Sequence, residues 1–304
     1  MHSMKKFAVV GLVGAASVLA QAEPIFGVTA NAVLVQFDSA TAGAVTTIGA
    51  VTGLVAGQGL SGIDFRPSNG LLYALSSSGT AAQLYTINLA TGAATTVGTG
   101  FTLAGNTSTA VSLDFNPVAN ALRVVTGSGQ SYRINANTGA LIAQDTSVAT
   151  PGGVTPLISG VAYTNNVAGA TQTTLYAYDF PSDGLGTIGG INSVPSPNTG
   201  VFNRVGASGK ISFSTAAGFD ISGVTGIAYL SFLNSLTVVD FFTVNLATGA
   251  ATQIGNFGAV NLVDFSVQTA PVNRVPISGT LSLVALGLVL AGRTNRHRGV
   301  PAAR

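Results

Sequence analysis

The fold is decided by Gln83-Leu-Tyr-Thr-Ile-Asn-Leu-Ala-Thr-Gly-Ala-Ala-Thr-Thr-Val-Gly98, which recurs almost unchanged as Phe242-Thr-Val-Asn-Leu-Ala-Thr-Gly-Ala-Ala-Thr-Gln-Ile-Gly255. Weaker copies occupy residues 34–49, 131–140 and 197–206. The glycines of the five turns are residues 43, 92, 139, 200 and 249, at spacings of 49, 47, 61 and 49. Such a period indicates an array of similar supersecondary units.

Each copy is predicted to form two strands joined by a tight turn. Leu84–Asn88 alternates and contains aromatic and β-branched residues, which is typical of a half-buried strand. Asn88 can close an Asx-type turn, and Gly92 can take the positive φ that a hairpin requires. Ala94–Val97 is then the returning strand.

A second motif between these copies supplies two further strands. Gly62-Ile-Asp-Phe-Arg-Pro-Ser-Asn-Gly-Leu-Leu-Tyr73 is matched by Ser112–Arg123 and by Gly218–Tyr229, with partial copies at Gly160–Tyr163 and Leu262–Phe265. Four short strands per unit predict an all-β protein, a β-propeller of five four-stranded blades.

The ring is predicted to close by pairing of the two ends of the repeat region. Strands at Ile25–Ala30, Ala32–Phe37 and Ala44–Ile48 share one blade with a last strand at Leu262–Val267, which removes an open sheet edge. Six blades are an alternative, because the Gly-, Ser- and Pro-rich segment Asp179–Pro197 could hide another blade. The other alternative is a different β-repeat fold, an open β-solenoid or a large β-sandwich.

The repeat region resembles a domain-of-unknown-function family of exported bacterial proteins. The resemblance rests on the Thr-Gly-Ala-x-Thr-x-Val-Gly and Gly-Ile-Asp-Phe-Arg-Pro signatures and covers most of residues 25–267. It implies the fold and an exported location. That family has no agreed activity, so the resemblance assigns no catalytic residue.

Charge argues against a nucleic-acid partner. The chain has 304 residues with 12 Lys and Arg and 10 Asp and Glu. Between residues 23 and 275 there are 6 basic and 10 acidic residues, which gives 6 minus 10, or −4. A nucleic-acid-binding domain would need a basic patch, and none is visible in this span.

The inventory of reactive side chains excludes several enzyme classes. There is no cysteine, and the two histidines are His2 and His297, outside the repeat region. Triads built on His or Cys and His-ligated zinc are therefore excluded from the domain, and no phosphate-binding Gly-x-x-x-x-Gly-Lys-Ser/Thr loop is present. We predict no catalytic residue and no organic cofactor.

Repeated aspartates are the one candidate site. In a propeller, equivalent positions surround the axis, and a ring of carboxylates could hold Ca²⁺, which prefers about 6–8 oxygen ligands. The alternative is that each aspartate caps the tight turn that follows it in its own blade. The proposed metal ligands occupy one position in four of the five units: Asp64, Asp114, Asp220 and Asp264.

The N-terminus has the features of a secretory signal peptide, residues 1–22. Lys5 and Lys6 form a charged start, Phe7–Leu19 is apolar, and Ala20-Gln21-Ala22 is a small-residue cleavage site. Glu23 is then the first mature residue, and the repeat domain spans residues 23–270. The alternative is a buried helix or strand.

The C-terminal segment, residues 271–304, resembles the PEP-CTERM sorting signal of Gram-negative bacteria. Val275-Pro276 precedes the apolar run Ile277–Gly292, and arginines follow it. Ile277-Ser278 stands where that family has Glu-Pro. The resemblance implies recognition by an exosortase and release or surface attachment. A plain transmembrane anchor or an interface helix is the alternative.

These features predict an exported cell-surface or extracellular protein, periplasmic or outside the cell, that is a non-catalytic binding or matrix module. An exopolysaccharide or a surface protein is the expected partner, and the membrane is contacted only through the C-terminal segment. The alternative is a Ca²⁺-dependent hydrolase or lactonase-like propeller that uses the aspartate ring.

Overall fold

The computed structural model describes residues 22–104, 110–215, 217–234 and 237–269. The predicted signal peptide, apart from Ala22, and the predicted sorting segment lie outside these ranges, so both stay predictions. No helix within the described ranges combines the length and the hydropathy needed to cross a membrane.

Within the described residues, twenty strands form five four-stranded antiparallel sheets arranged as the blades of a ring. Blade 1 contains β1 (Pro24–Thr29), β2 (Val33–Asp38), β3 (Thr46–Ala50) and β20 (Leu262–Val267); blade 2 contains β4 (Gly59–Phe65), β5 (Leu72–Ser78), β6 (Ala81–Ile87) and β7 (Ala94–Thr102). Blade 3 contains β8 (Val111–Asn116), β9 (Ala121–Thr126), β10 (Ser131–Ile134) and β11 (Leu141–Gln144); blade 4 contains β12 (Ile158–Tyr163), β13 (Leu175–Asp179), β14 (Gly184–Ile188) and β15 (Phe202–Ala207). Blade 5 contains β16 (Ala217–Ile221), β17 (Ala228–Leu233), β18 (Val239–Val244) and β19 (Ala251–Asn256).

The five-bladed propeller is confirmed, and so is its closure. β20 pairs with β1 in an antiparallel register that matches Val267 with Ile25, so blade 1 joins three early strands to one late strand. The innermost strands β20, β4, β8, β12 and β16 contact each other in that order around the axis. The segment Asp179–Pro197 contains β14, the regular third strand of blade 4, and leads into two short 3₁₀ turns, Ile191–Ser193 and Pro197–Thr199, rather than forming a sixth blade.

The hydrophobic core consists of layers between neighbouring blades. Tyr73 of blade 2 packs edge-on against Phe115 of blade 3, with ring centroids 5.0 Å apart. Phe37 of blade 1 meets Phe241 of blade 5 in the same way at 5.6 Å. The inner three strands of each blade are therefore buried on both faces and alternate weakly in sequence, whereas the outermost strands β3, β7, β11, β15 and β19 are largely exposed.

The Thr-Gly-Ala and Val-Gly signatures dock onto each other between blades. Gly139, in the turn of blade 3, has φ +69°, and a Cβ there would lie 2.0 Å from the carbonyl oxygen of Val97 in blade 2. The backbones of the two blades therefore approach more closely than any side chain allows, which explains why glycine recurs at both positions of the repeat.

Gly139→Ala is expected to destabilise the domain by about 2–4 kcal/mol, since it adds the left-handed backbone cost to an overpacked contact. Thermal unfolding measures the effect. Gly57→Ala is the matched control, because Gly57 has φ +80° with no atom near its missing Cβ. Equal losses for the two variants would show that the backbone conformation alone, and not the contact between blades, requires glycine.

Candidate functional site

Side-chain oxygens on the innermost strands of four of the five blades link each of those blades to the next one around the axis. Asp64 Oδ2 accepts the N–H of Phe115 at 2.7 Å, and Asp114 Oδ1 accepts the N–H of Tyr163 at 3.1 Å. The same link recurs in two further places, where Asp220 Oδ2 accepts from Val267 N–H at 2.6 Å and Ser266 Oγ accepts from Phe65 N–H at 3.1 Å.

These bonds explain why an acid is repeated at this position. An innermost strand has a free edge whose N–H groups are shielded from water by the other blades, and a buried N–H without a partner is costly. Blade 4 has Ala162 at the position, which can accept nothing, and there Asp220 takes the N–H of its own neighbour Ile221 at 2.6 Å. The prediction that each aspartate caps the turn in its own blade is therefore wrong.

Asp264 is not equivalent to the other three aspartates, so the prediction that all four occupy one position of the repeat is wrong. Ser266 pairs with Phe26 in the way that Asp64 pairs with Tyr73, so Ser266 occupies the repeated position of blade 1. Asp264 lies two residues earlier on β20, where its Oδ2 accepts the N–H of Ile63 at 2.8 Å. We call Asp64, Asp114, Ala162, Asp220 and Ser266 the axial ring.

Three carboxylates of the axial ring converge. Asp64, Asp114 and Asp220 each place one oxygen within 4.8 Å of the others, and each residue is about 1% exposed. The Ser266 hydroxyl lies 2.7 Å from Asp64 Oδ1 and 3.0 Å from Asp220 Oδ2. Its single proton cannot be donated to both carboxylates, so this pair is best satisfied when one of them is protonated or a cation lies between them.

Burial sets the protonation of these groups. Desolvation, followed by the charge of Asp220, raises the pKa of Asp64 well above its usual value. Desolvation and the charges of Asp64 and Asp220 do the same to the pKa of Asp114. Desolvation raises the pKa of Asp220 to about 6. No basic side chain is bonded to these three acids among the described residues, so protons or a cation must compensate their charge.

The donor set fits a hard cation in type and spacing. Carboxylate and hydroxyl oxygens are the ligands that Ca²⁺ prefers, and two ligands on opposite sides of the ion at ~2.4 Å lie ~4.8 Å apart. Asp64, Asp114, Asp220 and Ser266 supply four oxygens, so waters or carbonyls would have to complete the shell. Asp264, which the sequence placed among the ligands, is not part of this cluster.

Asp264 instead borders an open mouth where the innermost strands begin. The mouth is a cavity of about 230 Å³ whose lining includes Ser61, Ser112, Ser159 and Thr215. Desolvation also raises the pKa of Asp264, although its side chain reaches this opening.

A second cavity, of about 210 Å³, lies near the opposite ends of the innermost strands, between blades 3 and 4. We call it the seam pocket. Its charged lining residues are Arg123, which is 2% exposed, and Arg133, which is partly exposed. The polar and apolar remainder of the lining is Asn116, Val118, Ala119, Ala121, Tyr163, Thr171, Gln172, Thr173, Asn192, Ser193, Ser196, Pro197 and Asn198.

Arg123 is held rigidly at the base of the seam pocket. Its Nη1 donates to Asp145 Oδ2 at 2.5 Å and its Nη2 to Asn198 Oδ1 at 2.6 Å. Arg133 donates to both oxygens of the same carboxylate, from Nε to Oδ2 at 2.9 Å and from Nη2 to Oδ1 at 2.8 Å. Burial works to raise the pKa of Asp145, but the hydrogen bonds and charges of Arg133 and Arg123 outweigh it and lower that pKa.

A family model for a domain of unknown function, DUF4394, matches residues 33–266. The chain belongs to the DUF4394 family. No curated protein matches the sequence.

Solved propellers resemble the DUF4394 domain only in outline. Regucalcin of Agrobacterium tumefaciens, described as a calcium-binding protein, is 12% identical with a TM-score of 0.44, covering 80% of this chain and 78% of its own. A protein of Bacteroides uniformis proposed to be a 6-phosphogluconolactonase is 10% identical with a TM-score of 0.41, and the match covers 79% of this chain and 83% of that one. Glutaminyl cyclase of Myxococcus xanthus is 13% identical with a TM-score of 0.40, and the match covers 73% of this chain and 95% of that one.

The seam pocket of the DUF4394 domain was missed at the sequence level, although a signal for it exists. Arg123 pairs with Asp114 across β8 and β9. The residues at the equivalent position of the other four blades are all aromatic: Phe26, Tyr73, Tyr176 and Tyr229. A single buried arginine in a column of aromatic residues marks the blade that departs from the repeat.

Proposed function

We propose that this DUF4394 protein is an exported, non-catalytic binding or matrix module. The observation that carries the proposal is the structural role of the three buried aspartates. The three buried aspartates of the axial ring serve as links between blades, each accepting a backbone N–H, and their burial separates them from any substrate. A closed ring of this kind is a rigid frame, and binding functions are grafted onto the loops of such frames.

Export is proposed from the two ends of the sequence. The charged, apolar and small-residue regions of residues 1–22 support secretion. The apolar run and arginines of residues 271–304 support membrane attachment before exosortase-type release to the cell surface or medium. An exopolysaccharide or a surface protein is the partner that such a location would offer.

We expect the purified protein to sediment with extracellular polysaccharide from the producing bacterium and to hydrolyse no lactone or glycoside, with or without Ca²⁺. Co-sedimentation and a colorimetric turnover assay measure the two properties. Self-association that rises with concentration, without polysaccharide binding, would support the matrix form of the proposal. Ca²⁺-dependent turnover that Asp114→Asn abolishes would overturn it.

A second candidate, a Ca²⁺-dependent hydrolase or lactonase-like enzyme, is favoured by the convergence of Asp64, Asp114 and Asp220. A cation there would supply Lewis-acid chemistry. The chain's own residues would contribute four oxygens, and this candidate requires that the mouth bordered by Asp264 admit a substrate to the buried ring. Metal analysis of the purified protein, together with the pH experiment of the Discussion, tests whether the axial ring holds a cation.

A further inference from the structure

Blade 4 departs from the repeat in two connections, and both reach the seam pocket. The loop between β12 and β13 spans residues 164–174, whereas the matching loops span 66–71, 117–120 and 222–227. The connection between β14 and β15 spans residues 189–201, against 88–93, 135–140 and 245–250 in the regular blades. Loops that are longer than the matching loops of other blades and that line a pocket are typical of a binding site built on a repeat scaffold.

The longer connection is fixed rather than loose. Asn192 and Ser193 both take positive φ, +54° and +60°. The backbone N–H of Asn192 donates to Thr174 Oγ1, and the Ser193 hydroxyl donates to the carbonyl of Thr173, each at 2.8 Å. Left-handed conformations of residues other than glycine are costly and persist where the surroundings impose them, which happens most often at binding sites.

The seam pocket carries a surplus positive charge. Among the described residues, Asp145 is the one acid bonded to the two arginines of the pocket, so two positive charges meet one negative charge. Arg123 is 2% exposed and is bonded through all three of its guanidinium nitrogens. The Arg133 side chain is 31% exposed, and its Nη1 has no hydrogen-bond partner among the described residues. Arg133 can therefore bind an incoming anion while Asp145 holds the guanidinium in place.

We propose that the seam pocket binds one carboxylate-bearing sugar unit, such as a uronic acid. The surplus charge at Arg133 suits a single carboxylate. The surrounding amides and hydroxyls, among them Asn116, Gln172 and Asn192, suit a ligand rich in hydroxyl groups. The cavity of about 210 Å³ is smaller than the roughly 300–1,000 Å³ of sites for drug-sized ligands, which matches one monosaccharide. This inference rests on the proposed function, because it names the ligand class of the binding module.

Calorimetric titration of the full-length protein with sodium glucuronate tests the inference, with glucose and inorganic phosphate as comparison ligands. We expect saturable binding of glucuronate and at least tenfold weaker binding of glucose and of phosphate. Arg133→Gln should weaken glucuronate binding by about tenfold or more, the fold-change that one lost charge-assisted contact produces. Gln172→Ala, whose side chain has no hydrogen-bond partner among the described residues, should weaken it less.

Arg204→Gln is the matched control, because Arg204 is an exposed arginine of blade 4 outside the pocket. Unchanged glucuronate affinity in both Arg133→Gln and Gln172→Ala, or phosphate binding as tight as glucuronate binding, would overturn the sugar assignment. Polysaccharide co-sedimentation that survives in Arg133→Gln would overturn it as well and leave the proposed binding function intact. Melting curves of each variant establish that a loss of binding is not a loss of folding.

Discussion

In EDTA, the melting temperature of this protein is expected to fall by roughly 10 °C between about pH 4.5 and pH 8. The cause is the axial ring. Asp64, Asp114 and Asp220 have raised pKa values in the folded state, so they bind protons more tightly folded than unfolded. Stability that these protons supply is fully present below the ordinary carboxyl pKa of 3.8 and is lost as the pH rises through the folded-state pKa values.

Asp220 alone sets the scale of the effect. Its pKa rises from 3.8 to about 6, and at 1.36 kcal/mol per pKa unit this corresponds to about 3 kcal/mol of lost stability at pH 8. No histidine lies between residues 23 and 269 to complicate the titration in this range.

Adding Ca²⁺ tests whether protons or a cation compensate the buried charge of the axial ring. If a cation occupies the axial ring, millimolar Ca²⁺ raises the melting temperature at pH 8 more than at pH 4.5, because protons compete with the metal. The double variant Asp64→Asn, Asp220→Asn should lose most of the pH dependence and any Ca²⁺ effect. A melting temperature that rises with pH in EDTA would contradict the assignment of raised pKa values.

Asp145→Asn is expected to cost about 3–5 kcal/mol, because it leaves Arg123 buried without a counter-charge. The Asp145 side chain is 5% exposed and compensates two arginines, so its loss removes more than one surface ion pair would. Chemical denaturation measures the effect. Asp38→Asn is the control, because Asp38 forms no ion pair among the described residues and should lose less than about 1 kcal/mol.

The contribution of Asp145 and its two arginines to stability depends on pH with the opposite sign to that of the axial ring. The pKa of Asp145 is lowered in the folded state, so its contribution is present above the ordinary carboxyl pKa and is lost as the pH falls through the lowered value. Asp145→Asn should therefore remove part of the acid destabilisation of the wild-type protein. A variant as stable as wild type at pH 7 would show that the two arginines do not depend on this carboxylate.

The propeller was predictable because its determinants are local. The Asn-x-x-Thr-Gly turn and the flanking strands recur with little change, and each unit cannot bury its faces alone, so stacking follows. The last predicted strand, Leu262–Val267, has the observed bounds, the first three differ from β1, β2 and β3 by one or two residues, and their pairing in blade 1 was correct.

The error at Asp264 has a physical origin. Leu262-Val-Asp-Phe resembles the second motif, but the structural match is two residues later, at Ser266. A shift of two residues keeps every side chain of a strand on the same face, so the alternation of the sequence cannot distinguish the two registers. A shift of one residue would have exposed apolar side chains and been recognised.

The seam pocket is formed by residues at which blades 3 and 4 differ from the repeat. Its arginines are 10 residues apart in the sequence, and the loops that complete it come from the next blade. The segment Asp179–Pro197 raised the alternative of a sixth blade, whereas its last residues supply one wall of the pocket. The contacts that form this pocket join residues of different blades that are distant in sequence, so comparing one repeat with another does not bring them together.

The pairing of Val267 with Ile25 also determines how the ring responds to mechanical load. The chain enters and leaves the ring at one point, on neighbouring antiparallel strands about 5 Å apart. A force applied between the two ends would separate β20 from β1 one hydrogen bond at a time, like a zipper, instead of shearing all the bonds together. β20 also carries Ser266, so separation of this strand would remove the hydroxyl that joins Asp64 and Asp220 in the axial ring.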